Sequence, residues 1–121
     1  MRKYFPLIVW CVLIFIGSSL PTASASKNPL IDFILHKGVH LFEYAVLFAL
    51  SYKAFNRNSF FAILFVFLYS LSDEYHQTFV PGRNGRIQDT FIDLLGVGIG
   101  GAVLWKLPQI LPTKLKNWLL P

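Results

Sequence analysis

Four apolar runs separated by short polar segments organise the 121-residue chain. Each run is about as long as the roughly 20 residues that a helix needs to cross a bilayer. The segments between them contain proline, glycine and asparagine, which interrupt helices and favour turns. The pattern therefore predicts helices at about residues 4–20, 37–55, 60–79 and 88–107.

The composition indicates that lipid surrounds these helices. Apolar residues make up 55 % of the chain and charged residues only 14 %, with a mean hydropathy of +0.53. A soluble domain this short has a large surface for its volume, and about a quarter of its residues are charged. We therefore predict an all-α polytopic membrane protein, with four transmembrane helices in a compact bundle and one domain over residues 1–121. A soluble enzyme, a disordered tail and a disulfide scaffold are excluded, the last because Cys11 is the single cysteine.

The formal net charge of +5 predicts orientation rather than nucleic-acid binding. The basic residues lie scattered between apolar runs and form no stripe, so we expect no nucleic-acid partner. Short loops on the cytoplasmic side of a membrane carry an excess of Lys and Arg. That excess falls on the segments that share a side with the N-terminus, so both termini are predicted to be cytoplasmic.

The first run has a second interpretation. Arg2 and Lys3 precede it, and the Thr22-Ala23-Ser24-Ala25 segment after it resembles the cleavage site of a secretory signal. Cleavage after Ala25 would leave three helices with the same orientation. Composition favours retention of the first run as a transmembrane helix.

Polar residues of three predicted helices meet at one membrane face, the outer one in this orientation. The second helix carries them near its start, the third at its end and the fourth at its start. An ionised side chain at the bilayer centre costs about 2.5–3.5 kcal/mol and less near the interface, so acids collected at one end indicate a site. The residues are His36, His40, Glu43, Asp73, Glu74, His76, Gln77, Asp89 and Asp93.

Two small residues continue the polar face of the fourth helix. Asp89 and Asp93 lie four residues apart, and Gly96 and Gly100 follow on the same stripe. A small-xxx-small pattern lets another helix approach closely, so we expect the acids to face into the bundle. The Gly96/Gly100 face is also a predicted surface for homo-oligomer formation.

Seven residues are the predicted ligand-binding set, and four are candidate acid–base groups. Arg83 suits an anionic head group, because a guanidinium can donate two parallel hydrogen bonds to it. For catalysis, Glu43 or Glu74 would act as the base with His40 or His76 as its partner. In the His36, His40 and Glu43 spacing the glutamate does not lie between the histidines, so no zincin site, metal or cofactor is expected. The ligand set is His40, Glu43, Asp73, Glu74, Gln77, Arg83 and Asp89.

Structural explanations stay open beside these functional ones. Glu43 and Asp73 could pair with Arg83, Arg86 or His40 only to hold helix ends together. Asp89 could be an ordinary N-terminal cap of the fourth helix. An assembly partner of larger envelope machinery is a further alternative. A transporter is disfavoured, because the polar residues stop at one end and leave no polar path through the apolar halves of the helices.

The motifs that contain these residues resemble the VanZ-like family of bacterial membrane proteins, along nearly the whole chain. They are Lys37-x-x-His40-x-x-Glu43-Tyr44, Leu71-Ser72-Asp73-Glu74-x-His76-Gln77-x-Phe79-x-Pro81-Gly82-Arg83, and Asp89-x-x-x-Asp93-x-x-Gly96. Pro6-Leu7-Ile8-x-Trp10 is similar to that family's first helix, which favours retention of the first run. Many members have Asn at the position of Asp93, so the resemblance implies no shared role for that carboxylate.

The resemblance implies a role in the cell envelope, in the bacterial cytoplasmic membrane. The family is named after a member associated with low-level resistance to the glycopeptide teicoplanin. We therefore expect a membrane lipid, or a lipid-linked or amphipathic envelope molecule, as the partner at the outer polar site. The alternative is a membrane-embedded enzyme that uses Glu/His acid–base chemistry on a lipid-linked substrate.

Overall fold

The computed structural model describes residues 1–20, 26–83, 87–106 and 109–119. Within these ranges the regular structure is entirely helical, which confirms the all-α prediction. The predicted cleavage motif at residues 22–25 and the turn containing Arg86 lie outside the described residues. The helices are α1 (Phe5–Ser19), α2 (Pro29–Ala54), α3 (Ser59–Gln77), α4 (Ile87–Lys106) and α5 (Thr113–Leu119).

The predicted start of the second helix near Lys37 is wrong, because α2 begins at Pro29. Proline between apolar runs predicts an interruption, yet Pro29 occupies the first helical position, where proline is favoured because no intrahelical N–H bond is lost. Asn28 caps the helix by accepting hydrogen bonds from the backbone N–H groups of Leu30 and Ile31. The short helix α5, after Pro112, was not predicted.

Two described helices are long and apolar enough to cross a membrane, α2 and α4. Helix α2 has 26 residues and is about 39 Å long. Helix α1 is apolar up to its last turn but has only 15 residues. Helix α3 ends in acidic and amide residues and does not reach the same hydropathy.

Helices α2, α3 and α4 pack against one another, and α1 packs on α2 and α3. The start of α1 lies beside the end of α2, where Lys3 Nζ donates to Asn56 Oδ1 at 2.8 Å. At the other end of the molecule α1 and α3 finish while α2 and α4 begin; we call this the polar end. The interior is closed by side chains with no exposed area, among them Tyr44, Leu47 and Val66.

Two glycines set the contact between α2 and α4. A Cβ atom on Gly96 would lie 2.7 Å from the Leu41 carbonyl oxygen, and one on Gly100 would lie 2.7 Å from the Ala45 carbonyl oxygen. Real Cβ atoms essentially never come within 3.0 Å of another heavy atom, so the two backbones meet this closely only because both residues are glycine. The helix that approaches the stripe is α2 of the same chain, so the stripe is covered in this fold. Homo-oligomer formation stays a prediction.

Large apolar side chains cover the outward faces of the four long helices. A continuous apolar surface of this kind drives association in water but is suited to contact with lipid tails. An example from each helix, between 63 % and 69 % exposed, is Phe5 on α1, Phe42 on α2, Phe60 on α3 and Phe91 on α4.

Candidate functional site

Two adjoining cavities at the polar end bring together six of the seven predicted ligand residues. The acidic cavity, named for Glu43 and Asp73 in its lining, has a volume of about 250 Å³. The second cavity, which contains Lys37 and Asp89, has a volume of about 210 Å³. His36, His40 and Arg83 line both and form the wall between them. The acidic cavity is further lined by Gly17, Ser18, Val39, Glu43 and Asp73. The second cavity is further lined by Lys37, Gln77, Gly82 and Asp89.

Two predicted residues lie elsewhere. Glu74 is buried on α3 and lines neither of these cavities. His76 faces α1, where its ring stacks on Phe15 and its Nε2 lies 2.9 Å from Ser19 Oγ. The structure therefore places His40 at the cavities and His76 at a helix–helix contact, so only one of the two candidate histidines is positioned to meet a ligand.

Asp73 is the most deeply placed acid of the acidic cavity, with 4 % of its surface exposed. Its Oδ2 atom accepts hydrogen bonds from Tyr44 Oη at 3.0 Å and from Gln77 Nε2 at 3.2 Å. Gln77 reaches it because residues four apart are neighbours on a helix surface. Among the described residues, Oδ1 has no hydrogen-bond partner. The carboxylate is thus held in place by one oxygen, while the other is buried without a donor.

Asp93 connects three helices beneath the cavities. It is 1 % exposed, accepts a hydrogen bond from Ser70 Oγ at 2.6 Å, and its Oδ1 lies 3.4 Å from His40 Nδ1. Asp93 therefore lies against the imidazole of a cavity residue. We did not place it in the ligand set, although its position between Asp89 and Gly96 on one stripe was the signal that it faces inward.

The outer edge of the second cavity is an ion pair between α2 and α4. Lys37 Nζ lies 2.8 Å from Asp89 Oδ1, and each side chain is about a quarter exposed. Asp89 also sits in the first turn of α4, where the helix dipole favours a negative charge. A role as a helix cap alone therefore does not describe Asp89 fully, because its carboxylate also joins α4 to α2.

Arg83 holds the end of α1 against the polar end. Its Nε donates to the Leu20 carbonyl at 2.8 Å and its Nη2 to the Gly17 carbonyl at 3.1 Å. The last carbonyls of a helix lack intrahelical partners and carry partial negative charge, so a guanidinium is favourable there. A guanidinium has five N–H donors, and those not used on α1 can face the cavities that Arg83 lines.

Further polar contacts attach α1 along its length. Trp10 Nε1 donates to the Glu43 carbonyl at 2.9 Å, and Tyr69 Oη donates to the Cys11 carbonyl at 2.6 Å. Each bond satisfies a polar atom inside an otherwise apolar contact. The wall that α1 contributes to the acidic cavity is therefore fixed by α2 and α3 as well as by Arg83.

The chemistry available at the cavities comes from carboxylates, imidazoles, an amide and two basic side chains. No group of three or more His, Cys, Asp or Glu in the described part of the chain is arranged to hold a metal ion. The carboxylates of Glu43 and Asp73 can accept hydrogen bonds from a ligand and attract a cationic group. Arg83 and the histidines can donate hydrogen bonds to an anionic group.

Comparison with known proteins gives one match. The family model described as VanZ/LLP1 matches residues 4–110, a range that contains α1 to α4 and every residue of both cavities. No curated protein and no solved structure matches the chain.

Proposed function

The chain belongs to the VanZ/LLP1 family and is a membrane protein of the VanZ type, and from this we propose that its polar end binds a lipid-linked or amphipathic molecule of the bacterial cell envelope. The observation that carries the proposal is the pair of adjoining polar cavities at one end of otherwise apolar helices. A polar head group would occupy the cavities while the apolar part of the molecule stays in lipid. This arrangement needs no polar path across the membrane.

We propose that α1 to α4 all cross the bacterial cytoplasmic membrane, with both termini in the cytoplasm and the polar end outside. The length of α2 and α4 and the packing of α1 and α3 beside them support this arrangement. Cysteine scanning in a Cys11→Ser background tests it. A membrane-impermeant maleimide should label Lys27→Cys in intact cells and Arg57→Cys only after lysis. The reverse labelling would contradict the orientation.

The physiological part of the proposal is that ligand binding contributes to teicoplanin tolerance. The test is complementation of a deletion strain, scored for teicoplanin susceptibility with membrane accumulation measured in parallel. Variants of the cavities should lose function while accumulating normally, whereas Gln88→Ala, at an exposed position at the same end, should complement fully. Full function in every variant, or loss only with failed accumulation, would contradict a binding role. The variants are His40→Ala, Glu43→Gln, Arg83→Ala and Asp89→Asn.

A second candidate function, acid–base catalysis on a lipid-linked substrate, is favoured by the environment of His40. An imidazole beside a buried carboxylate is a common arrangement in acid–base enzymes, and His40 Nδ1 lies 3.4 Å from Asp93 Oδ1. Glu43 lies in the same cavity and could act as the base. If Glu43→Gln and His40→Gln both retain full complementation, this chemistry is refuted, whereas the binding proposal requires only that the cavities still hold the ligand.

A further inference from the structure

The acidic cavity contains two carboxylates and little free positive charge to balance them. Glu43 and Asp73 both line it. Arg83 brings one positive charge, which its hydrogen bonds to two neutral carbonyls at the end of α1 do not cancel, so the two carboxylates exceed it by one. The imidazole of His40 is directed toward Asp93, and that of His36 lies beside Asp32. Lys37 lies in the second cavity, paired with Asp89. The cavity is therefore built to receive positive charge.

The unpartnered oxygen of Asp73 shows what kind of group fits. Asp73 is 96 % buried, and its Oδ1 has no hydrogen-bond partner among the described residues. A buried acceptor without a donor is costly, and a buried carboxylate more so. An ammonium group supplies both the missing positive charge and up to three N–H donors. Glu43, in the same cavity, provides a second carboxylate for those donors.

We propose that the acidic cavity binds the primary ammonium group of a zwitterionic lipid head group, an assignment that rests on the proposed binding function. The phosphate of that head group would lie at the wall shared by the two cavities, formed by His36, His40 and Arg83. Guanidinium groups bind phosphate oxygens through charge-assisted hydrogen bonds. The ligand class is therefore an aminoalkyl phosphate whose acyl chains remain in the membrane.

The size of the cavity agrees with this class of ligand. A water molecule takes about 30 Å³ in the liquid, so about 250 Å³ accommodates a short aminoalkyl group together with part of its phosphate. Two related head groups test the positive charge of the ammonium and its hydrogen-bond donors separately. A quaternary ammonium carries the charge but no N–H donor, and a glycerol head group offers hydroxyl donors without the charge.

The experiment is calorimetric titration of the full chain in dodecyl maltoside with dihexanoyl lipids. Dihexanoyl phosphatidylethanolamine should bind at least ten-fold more tightly than the phosphatidylcholine and phosphatidylglycerol analogues, a difference of about 1.4 kcal/mol. Glu43→Gln and Asp73→Asn should each remove most of that preference. Gln88→Ala alters an exposed side chain at the same end but outside both cavities, so it should retain the preference.

A further pair of variants separates folding from recognition. Asp73→Asn changes a carboxylate that accepts hydrogen bonds from Tyr44 and Gln77. Tyr44→Phe removes one of these two hydrogen bonds and leaves the Asp73 carboxylate, with its unpartnered Oδ1, in place. Tyr44→Phe should therefore melt at a lower temperature yet retain the ethanolamine preference. If Asp73→Asn fails to fold, Glu43→Gln decides the question, because that side chain is only partly buried.

The outcomes distinguish this inference from the function on which it rests. Equal affinity for the three lipids, weakened in each case by Arg83→Ala, would overturn the ammonium assignment and leave head-group binding intact. Tighter binding of the glycerol head group would overturn it as well and indicate a polyol ligand. Lipid binding that is undetectable, or that no cavity variant changes, would overturn both proposals.

Discussion

Gly96→Ala is the sharpest test of how the polar end is assembled. The added methyl group would lie 2.7 Å from the Leu41 carbonyl oxygen and 3.1 Å from Tyr44 Cβ. Backbone atoms cannot move aside as the end of a flexible side chain can, so α2 and α4 must separate. Overpacking of this kind costs about 1–3 kcal/mol.

Gly98→Ala is the matched control for that substitution. It lies on the same helix two residues away, and a Cβ there would meet nothing within 4 Å. Both substitutions gain the helix propensity of alanine over glycine, about 1 kcal/mol in host peptides. The difference between the two variants therefore isolates the contact with α2, and Gly96→Ala should be less stable than Gly98→Ala by about 1–3 kcal/mol.

The assay is reversible unfolding in mixed micelles of dodecyl maltoside and sodium dodecyl sulfate, followed by circular dichroism. Separation of α2 from α4 should also loosen the Lys37–Asp89 pair, which joins the same two helices. Ligand affinity at the second cavity should then fall in Gly96→Ala and not in Gly98→Ala. Equal stability of the two variants would refute the close helix contact on which this reasoning depends.

Three further substitutions test individual hydrogen bonds. Ser70→Ala removes the donor to the buried Asp93 carboxylate and should lower the free energy of unfolding by about 1–3 kcal/mol in the same micelle assay; an unchanged value would contradict the bond. Trp10→Phe removes the donor to the Glu43 carbonyl and should cost about 1 kcal/mol, with protease cleavage at α1 as a second measurement. Asn28→Ala removes the cap of α2 and should cost about 1 kcal/mol, seen as faster amide exchange in its first turn but not in its last.

The positions of the helices followed from the apolar runs because lipid imposes continuous helices on such segments. The start of α2 did not, because Pro29 both interrupts a helix and favours its first turn, and only the Asn28 cap decides between the two. The gathering of acids at one end was also predictable, since antiparallel neighbours bring alternate helix ends together. Those expectations needed only the order of the segments.

The partners of the individual side chains required coordinates. His40 points toward Asp93, and His76 points toward α1. These directions depend on the rotation of α2 and α3 about their axes, which the sequence motifs containing the two histidines do not determine. The contact of Arg83 with the Gly17 carbonyl depends on how the segment after α3 folds back. Sequence spacing describes a single helix, whereas these contacts each join two segments distant in the chain.

The attachment of α1 has a consequence for biosynthesis. The groups that hold it come from segments synthesised later, namely the Glu43 carbonyl, the Tyr69 hydroxyl and the Arg83 guanidinium. Helix α1 can thus complete these polar contacts only after segments that follow it in the chain have been synthesised. Since α1 also forms one wall of the acidic cavity, a partly inserted chain contains the acids but has no enclosed site for them. The acidic cavity is therefore enclosed only once the chain has been synthesised as far as Arg83 and α1 has packed against α2 and α3.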